Sequence, residues 1–500
     1  MPEVTAIYPA EVVGFSASVE NARPLHAGTF TSKKYCLEVK AMAERFEIVE
    51  KALLKMLDEK KYSSLRDILI TMNPADIAGL FDGLEEKQIP VMFRLLPKEQ
   101  AAETFVEMEP EAQQLLIQGF SDNELREVLD ELYVDDAADL VEEMPANVVR
   151  RILSQADPEM RSSINQILRY PENSAGALMT MEYVSLRPDM TVEEAILRIR
   201  RQGVDKETIY TCYVLEKDRT LLGIVTVKDL LLAESDETEI REIMTSNVIS
   251  VGTQDDQEEV AKMFSKYNFL ALPVVDTENR MVGIVTFDDA MDVMEEEATE
   301  DMEIMAAMTP SEKSYLKSSP FDLYKHRIPW LMLLMVSATF TGMIISSFES
   351  ALALLPALTA FIPMLMDTGG NCGSQSSVTV IRALSLDELE LSDVFVVLWK
   401  EIRTAVLCGV TLAAVCFLKV LLIDRLLMGN ASISLSVDLV ICLALAVTVV
   451  MAKMVGCTLP LLAKKLGFDP AVMASPFITT IVDALSLLVY FLFAKTVLGL

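Results

Sequence analysis

Two stretches near the end of the chain carry residues able to hold a cation. The first, residues 359–382, reads TAFIPMLMDTGGNCGSQSSVTVIR. It opens apolar, with Phe361, Ile362, Met364 and Leu365, then turns polar without a turn-like charge cluster. Asp367, Thr368, Gly369, Gly370, Asn371, Gly373, Ser374, Gln375, Ser376 and Ser377 follow in close order. Lipid cannot satisfy so many polar groups, so they must face protein or water. Uncovered backbone carbonyls and amide oxygens are hard ligands, suited to a small divalent cation or its hydration shell. A small-residue packing face between helices would use the same composition. The second stretch is ASPFITTIVDALSLLVYFLF, with Asp483 near its middle and Thr479 and Thr480 one turn earlier. An isolated aspartate at the centre of a membrane helix costs about 2.5–3.5 kcal/mol. No arginine stands beside it in sequence, so its partner is either a cation or a hydrogen bond from a neighbouring helix.

Membrane spans must position these groups. Residues 328–348 form an uncharged run of 21, long enough to cross a bilayer. Further spans are expected at about 351–381, 394–424, 435–465 and 470–498. Lys325 and Arg327, then Arg382, Lys400 and Arg403, then Lys464 and Lys465 fall on one side. Glu349 and residues 424–432, with Arg425 alone basic, fall on the other. The positive-inside rule makes the first side cytoplasmic, and five spans then put the C-terminus outside.

The two halves of the 500-residue chain differ in charge. From His326 onward there are 10 basic and 11 acidic residues, so the first 325 carry −30 of the formal −31. That half repels nucleic acid and attracts cations. Seven scattered cysteines without a CxxC pair and two distant histidines, His26 and His326, argue against zinc, an iron–sulfur cluster or a disulfide framework. A bound metal would take oxygen ligands. The first 40 residues lack a basic region followed by a long apolar run, so a cleaved leader is not expected.

Residues 1–40 read as a loosely ordered extension. Residues 41–170 read as an acidic domain of short amphipathic helices in a curved stack, with Leu53, Leu54 and Leu57, and Leu125, Val128, Leu129 and Leu132 at helical spacing. Asn73-Pro74 and Asp157-Pro158 place a capping side chain before a proline at a helix start. A duplication follows, at 171–235 and 236–297. Each copy has a Met-Thr pair (Met179-Thr180, Met244-Thr245), a helix after an acidic cap, a strand-like run, and Gly-Ile-Val-Thr at 223–226 or 283–286. Asp229 or Asp289 comes three residues later. Two small paired α/β units are expected. The repeated GIVTxxD resembles a tandem CBS-domain module. That resemblance implies an adenosine-nucleotide site, with Asp229, Phe269 and Thr226 as contacts and Asp289 as a lesser one; the same Thr-x-x-Asp also caps a helix.

Next comes DDAMDVMEEEATEDMEIM, crowding Asp288, Asp289, Asp292, Glu295, Glu296, Glu297, Glu300 and Asp301 on one helical run. Two carboxylates 4 Å apart repel by about 4 kcal/mol at an effective dielectric near 20. A divalent cation relieves that; a solvated acidic face tolerates it. Asp135, Asp136 and Asp139 form a second acidic cluster on the helical domain.

This order of parts resembles the MgtE-type magnesium channel and transporter family over residues 41–498. PMLMDTGGNCGSQSS, GFDPAVMASPF and TTIVDALSLLVYF are the specific stretches. The resemblance implies an α-helical N-terminal domain built as a short-helix superhelix, an α/β tandem CBS pair and a connecting plug helix at 298–325. It further implies an all-α polytopic membrane domain at 326–500, with five transmembrane helices, working as a homodimer in the cell membrane with the N-terminus cytoplasmic. By resemblance Asp483 holds hydrated Mg2+ on the dimer axis, and Asn371 with the Gly369-Gly370 backbone lines the same pore, beside Asp367 and Thr479. Sensor acids would be Glu103, Asp135 and Asp139 on the helical domain, and Asp256, Glu258, Asp289, Asp292, Glu297, Glu300 and Asp301 on the CBS and plug side. High internal Mg2+ would bridge them and close the pore.

Against that pattern Asn268 replaces an expected aspartate. Thr211 and Lys228 stand where a tyrosine and an arginine can grip ATP. Lys453 is a charge within the fourth span, and it is expected to approach Asp367 or otherwise offset acid near the pore, since two unpaired intramembrane charges are costly. The function expected is Mg2+ import down the membrane potential, gated by internal Mg2+, with no catalytic constellation and no P-loop. ATP is a further candidate ligand. Two alternatives use the same parts: a proton- or sodium-coupled divalent exporter, and a membrane-anchored nucleotide sensor without a pore.

Overall fold

The computed structural model describes residues 49–311, 315, 318–427, 434–473 and 475–499, so the expected extension at 1–40 lies outside the described residues. The chain divides into two compact units. One runs to Asp256 and adds Leu270–Thr286; the other comprises Gln257–Phe269 and Phe287–Leu500.

In the first unit, short helices of five to ten residues follow one another from α1, Tyr62–Leu69, to α9, Pro158–Ile167. Among them are α4, Lys98–Val106, α6, Asp122–Leu129, and α7, Val134–Glu143. Their shortness has a local cause, since prolines and caps recur about every dozen residues. Asn73 Oδ1 accepts from Ala75 N at 3.0 Å ahead of Pro74. Asp157 Oδ1 accepts from Met160 N at 2.6 Å ahead of Pro158. Ser121 and Glu124 close a reciprocal capping box on α6. Leu65, Leu69, Ile77, Leu116, Ile117, Leu125, Leu129, Ile152 and Ile164 are fully buried and make one continuous core with the Phe93, Phe105 and Phe120 rings.

The duplication folds as two three-stranded sheets. Strand β1 (Tyr183–Leu186) runs parallel to β2 (Thr208–Leu215), and β3 (Leu221–Thr226) antiparallel to β2. Strands β4 (Val251–Gly252), β5 (Ala271–Val275) and β6 (Met281–Thr286) repeat that order and register. The repeated sequence signals have a reciprocal meaning. Thr180 of the first copy exchanges hydrogen bonds with Ile284 of the second at 2.8 and 2.9 Å, while Thr245 exchanges them with Ile224 at 2.9 and 3.0 Å. A Cβ on Gly223 would press on the Thr245 carbonyl and Met244, and one on Gly283 on the Thr180 carbonyl and Met179. The Met-Thr pair of each copy therefore packs on the Gly-Ile-Val-Thr of the other, which is why both must be glycine.

The second unit contains α13 (Gln257–Tyr267), α14 (Phe287–Met305), α15 (Pro320–Ser347), α16 (Glu349–Leu354), α17 (Ile362–Ser385), α18 (Val394–Lys419), α19 (Leu435–Leu466) and α20 (Ser475–Leu498). Helix α14 runs unbroken through the boundary expected at 297/298, so the second repeat and the start of the plug share one helix. Four described helical segments, Pro320–Ser347, Leu391–Leu427, Leu435–Leu466 and Pro470–Leu498, are long and apolar enough to cross a membrane. The expected span at 351–381 is instead broken: α16 ends at Leu354, a 3-10 turn covers Pro356–Phe361, and α17 starts at Ile362. Pro356 forces the break. Helix α17 has the length of a span, at 24 residues, but a polar face.

Candidate functional site

Helix α17 has two unlike faces. Gly369, Gly370, Cys372, Gly373, Ser376 and Ser377 are buried. Asp367, Asn371, Gln375 and Thr379, four residues apart, are exposed along the opposite side. The buried face is a close helix contact. A Cβ on Gly369 would meet Ser486 Oγ at 2.8 Å, and one on Gly370 would meet Thr479 Cγ2 at 3.0 Å, both on α20. A Cβ on Gly456 of α19 would run into the Gly373 carbonyl. Small residues here let three backbones touch. The helix is continuous through this run, so the carbonyls of Gly369 and Gly370 belong to its hydrogen-bond ladder, and the glycines serve packing. The oxygens left facing outward are those of Asp367, Asn371 and Gln375.

Asp483 sits half-buried on α20, and Asp367 is near enough to interact with it electrostatically. Among the described residues, no side-chain hydrogen bond or ion pair engages Asp367, Asn371 or Asp483. The hydroxyls of Thr479 and Thr480 turn back to the Pro476 carbonyl at 2.9 and 3.1 Å, so neither caps the carboxylate. Gln375, named in the polar run but not among the residues expected to line the pore, joins the stripe at four-residue spacing from Asn371.

Lys453 does not go to Asp367. Its ammonium donates to Ser376 Oγ at 3.3 Å. Ser376 lies nine residues beyond Asp367 on the same helix, about 13 Å along the axis at 1.5 Å per residue. The physical reason is the turn of α19: Lys453 points into the contact beside Gly373 and Gly456, where the acid available is Glu401 of α18.

The expected sensor acids divide between the two units. Glu103 on α4, Asp135 and Asp139 on α7, and Asp256 belong to the first; Glu258, Asp289, Asp292, Glu297, Glu300 and Asp301 belong to the second. Around α7 the field is strongly negative. Burial, then Glu207, Glu182, Asp136 and Asp135, push the Tyr133 phenol up to about 12. In the second unit Glu297 Oε1 accepts from Gln257 Nε2 at 3.0 Å, tying α14 to α13. Glu258, Asp301 and Asp469 are drawn together. Burial first, then Asp469 and Glu258, raise the Asp301 carboxyl above its ordinary value, while Ser385 Oγ donates to it at 3.3 Å. Asp469 is raised in turn, by partial burial and by Glu258. Asp469 was missed because Asp469-Pro470 reads as a helix cap, a role it also fills by accepting from Ala471 N at 2.7 Å. Among the described residues no three metal-ligating side chains form a preassembled cage.

On the CBS pair, Thr226 and Asp229 close a capping box on the helix Val227–Leu231, the Thr226 hydroxyl donating to Asp229 Oδ2. Phe269, in the second unit, stacks on Tyr267 with ring centroids 5.4 Å apart.

Comparison with known proteins gives these parts a common frame. Residues 362–493 match a family described as MgtE, divalent cation transporter; residues 72–173 match the MgtE intracellular N domain, and 175–236 and 240–296 match CBS domains. The chain is 38% identical to the magnesium transporter MgtE of Thermus thermophilus, over 89% of this chain and 98% of that one. It is 33% identical to the magnesium transporter MgtE of Bacillus subtilis, over 88% and 95% respectively. A crystal structure of the cytosolic domain of the Mg2+ channel MgtE in complex with ATP aligns at 40% identity, covering 49% of this chain and 99% of that one with a TM-score of 0.47. With its intracellular helical domain, CBS pair and apolar helical half all matched in order, the chain belongs to the MgtE family of magnesium transporters.

Proposed function

We propose that this protein is a Mg2+-selective channel that imports Mg2+ down the membrane potential and is closed by internal Mg2+. The observation that carries the reading is the outward polar stripe of α17, Asp367, Asn371 and Gln375, within electrostatic reach of Asp483 on α20. Such groups cannot face lipid. A second copy of the chain covers the stripe, and the two stripes enclose a wet path on a twofold axis. Asp483 and Asp367 hold the cation through its water shell, since Mg2+ gives up water reluctantly. Thr479 lies one turn below Asp483 and borders the path.

A divalent cation crossing 100 mV gains about 4.6 kcal/mol, twice the single-charge figure. That drives entry without a second ion gradient. The sensor acids are an electrostatic switch. Glu258, Asp301 and Asp469 repel one another, and Mg2+ binding removes that penalty; Glu103, Asp135, Asp139 and Asp256 act similarly from the first unit. Helix α14 carries Asp289, Asp292, Glu297, Glu300 and Asp301 on one rod leading toward the membrane half, so their neutralisation reaches the pore helices. An adenosine nucleotide would add to this switch, with Thr226 and Asp229 exchanging their capping bonds for ribose and phosphate.

The topology that fits is N-terminus cytoplasmic and C-terminus outside, with α17 as a fifth span. Dye-reported Mg2+ influx into liposomes preloaded with rising internal Mg2+ tests the gating. Influx is expected to fall as internal Mg2+ rises, and Asp469→Asn to shift the fall to higher concentration by roughly tenfold, the worth of about 1.4 kcal/mol. Influx indifferent to internal Mg2+ overturns the gating.

A further inference from the structure

Helix α18 carries two cations on an exposed, otherwise apolar face. Val396, Trp399, Leu407 and Val410 fall on one side of the helix and are all more than 60% exposed. Arg403, also exposed, stands in the middle of that stripe, four residues after Trp399 and four before Leu407, with Lys400 exposed nearly one turn earlier. Glu401 points the other way, accepting from Ser376 Oγ of α17 at 2.7 Å. Residues 404–418 include no charged side chain, and Arg403 to Lys419 is about 24 Å of helix at 1.5 Å per residue. Against a hydrocarbon core about 30 Å thick, the two cations sit near its opposite edges. Lys419 has a partner in Asp424 at 2.8 Å. Among the described residues, no carboxylate pairs with Arg403 or Lys400. The Arg403 guanidinium instead folds back toward the N-terminal end of α18, as a snorkelling side chain does. Its Nε donates to the Trp399 carbonyl at 3.3 Å, and its carbon lies 5.9 Å from the centre of the Trp399 ring.

We propose that Trp399, Lys400 and Arg403 bind the headgroup of an anionic glycerophospholipid whose acyl chains lie along Leu407 and Val410. A phosphate diester is the acceptor that suits a planar guanidinium beside an ammonium. A free phosphate or nucleotide would match the cations but not the apolar side chains on either side of them. A lipid matches both, and Trp399 stands at the level where the polar and apolar layers meet. A second copy of the chain fits this face poorly. A twofold contact here would set Arg403 and Lys400 against their own counterparts. The stripe is also built of bulky side chains, whereas Gly409, a small residue that lets helices approach, is buried against Ala446 of α19. The site depends neither on which ion the protein passes nor on how passage is gated.

The chain has two tryptophans, so Trp330→Phe leaves Trp399 as the sole reporter. The full-length Trp330→Phe protein is reconstituted, in Mg2+-free buffer, into phosphatidylcholine vesicles that contain a brominated lipid at one fixed mole fraction. In one set this is phosphatidylglycerol and in the other phosphatidylcholine, each brominated on the upper part of an acyl chain. Bromine quenches indole fluorescence at short range, so the quenching reports which lipid lies beside Trp399. Brominated phosphatidylglycerol is expected to bind there several-fold more strongly than brominated phosphatidylcholine. Adding Lys400→Gln/Arg403→Gln is expected to abolish that preference while quenching by phosphatidylcholine persists. Should the double substitution prevent folding, judged by gel filtration in detergent, Arg403→Gln alone is used and is expected to reduce the preference. Equal quenching by the two lipids in the Trp330→Phe protein overturns the site, as does a preference that the substitutions leave unchanged. Little quenching by either lipid means that protein, a second copy included, covers the face, and this also overturns it. A preference that inorganic phosphate removes, and chloride at equal ionic strength does not, points to a soluble anion and overturns the lipid assignment.

Discussion

Single carboxylates differ here according to what surrounds them. Glu124 has Arg94 at 2.7 Å and the Ser121 cap, and its pKa is lowered to about 2. Its ionised form is favoured in the fold, so the stability it lends is present above the unfolded value near 4.5 and is lost as pH falls toward 2. Both side chains are more than a third exposed, and solvent screening holds Arg94→Ala to a cost of about 0.5–1 kcal/mol at pH 7, checked by urea titration. Asp301 has the opposite sign. Its carboxyl is raised by burial and by Asp469 and Glu258, so the folded state binds its proton more tightly than the unfolded chain does. Without Mg2+, the fold gains stability as pH falls through that raised value and loses it as pH rises. Thermal unfolding across that range should show this slope, and Asp469→Asn should flatten it. Added Mg2+ should restore stability on the alkaline side, because it needs the ionised form.

At the scale of elements, the small residues of the GGNCGSQSS run turn out to set helix spacing. Gly456 faces the Gly373 carbonyl with no room for a methyl group. Gly456→Ala is expected to destabilise the membrane half by about 1–3 kcal/mol, the cost of overpacking. Lowered thermal stability in detergent checks it, and Gly342→Ala, which meets nothing within 4 Å, is the control. The short helices were legible in sequence because their signals are local: Asn73-Pro74 and Asp157-Pro158 cap where expected. So was the duplication, whose Met-Thr and Gly-Ile-Val-Thr stretches pack reciprocally. The break at Pro356 was not, since an apolar run flanking a proline reads equally as one kinked span. Nor was the partner of Lys453, because the rotation of α19 is decided by the Gly373–Gly456 contact, which pairs residues far apart in sequence. Asp469 was hidden behind its own capping role.

For the whole molecule, the charge imbalance has a use. An acidic half carrying nearly all of the net charge concentrates cations around itself, and the apolar half carries few charges. Lys453 and Glu401 offset each other through Ser376, whereas Asp483 and Asp367 have no partner among the described residues. The most direct measurement is Mg2+ influx into proteoliposomes at a clamped, inside-negative potential with proton and sodium gradients collapsed, comparing wild type with Asp483→Asn. Influx that grows with the potential in wild type, and falls by roughly tenfold or more in an equally well folded Asp483→Asn, about 1.4 kcal/mol or more on the barrier, is the predicted result. Undiminished influx through Asp483→Asn, or wild-type flux that vanishes without a second ion gradient, would contradict it.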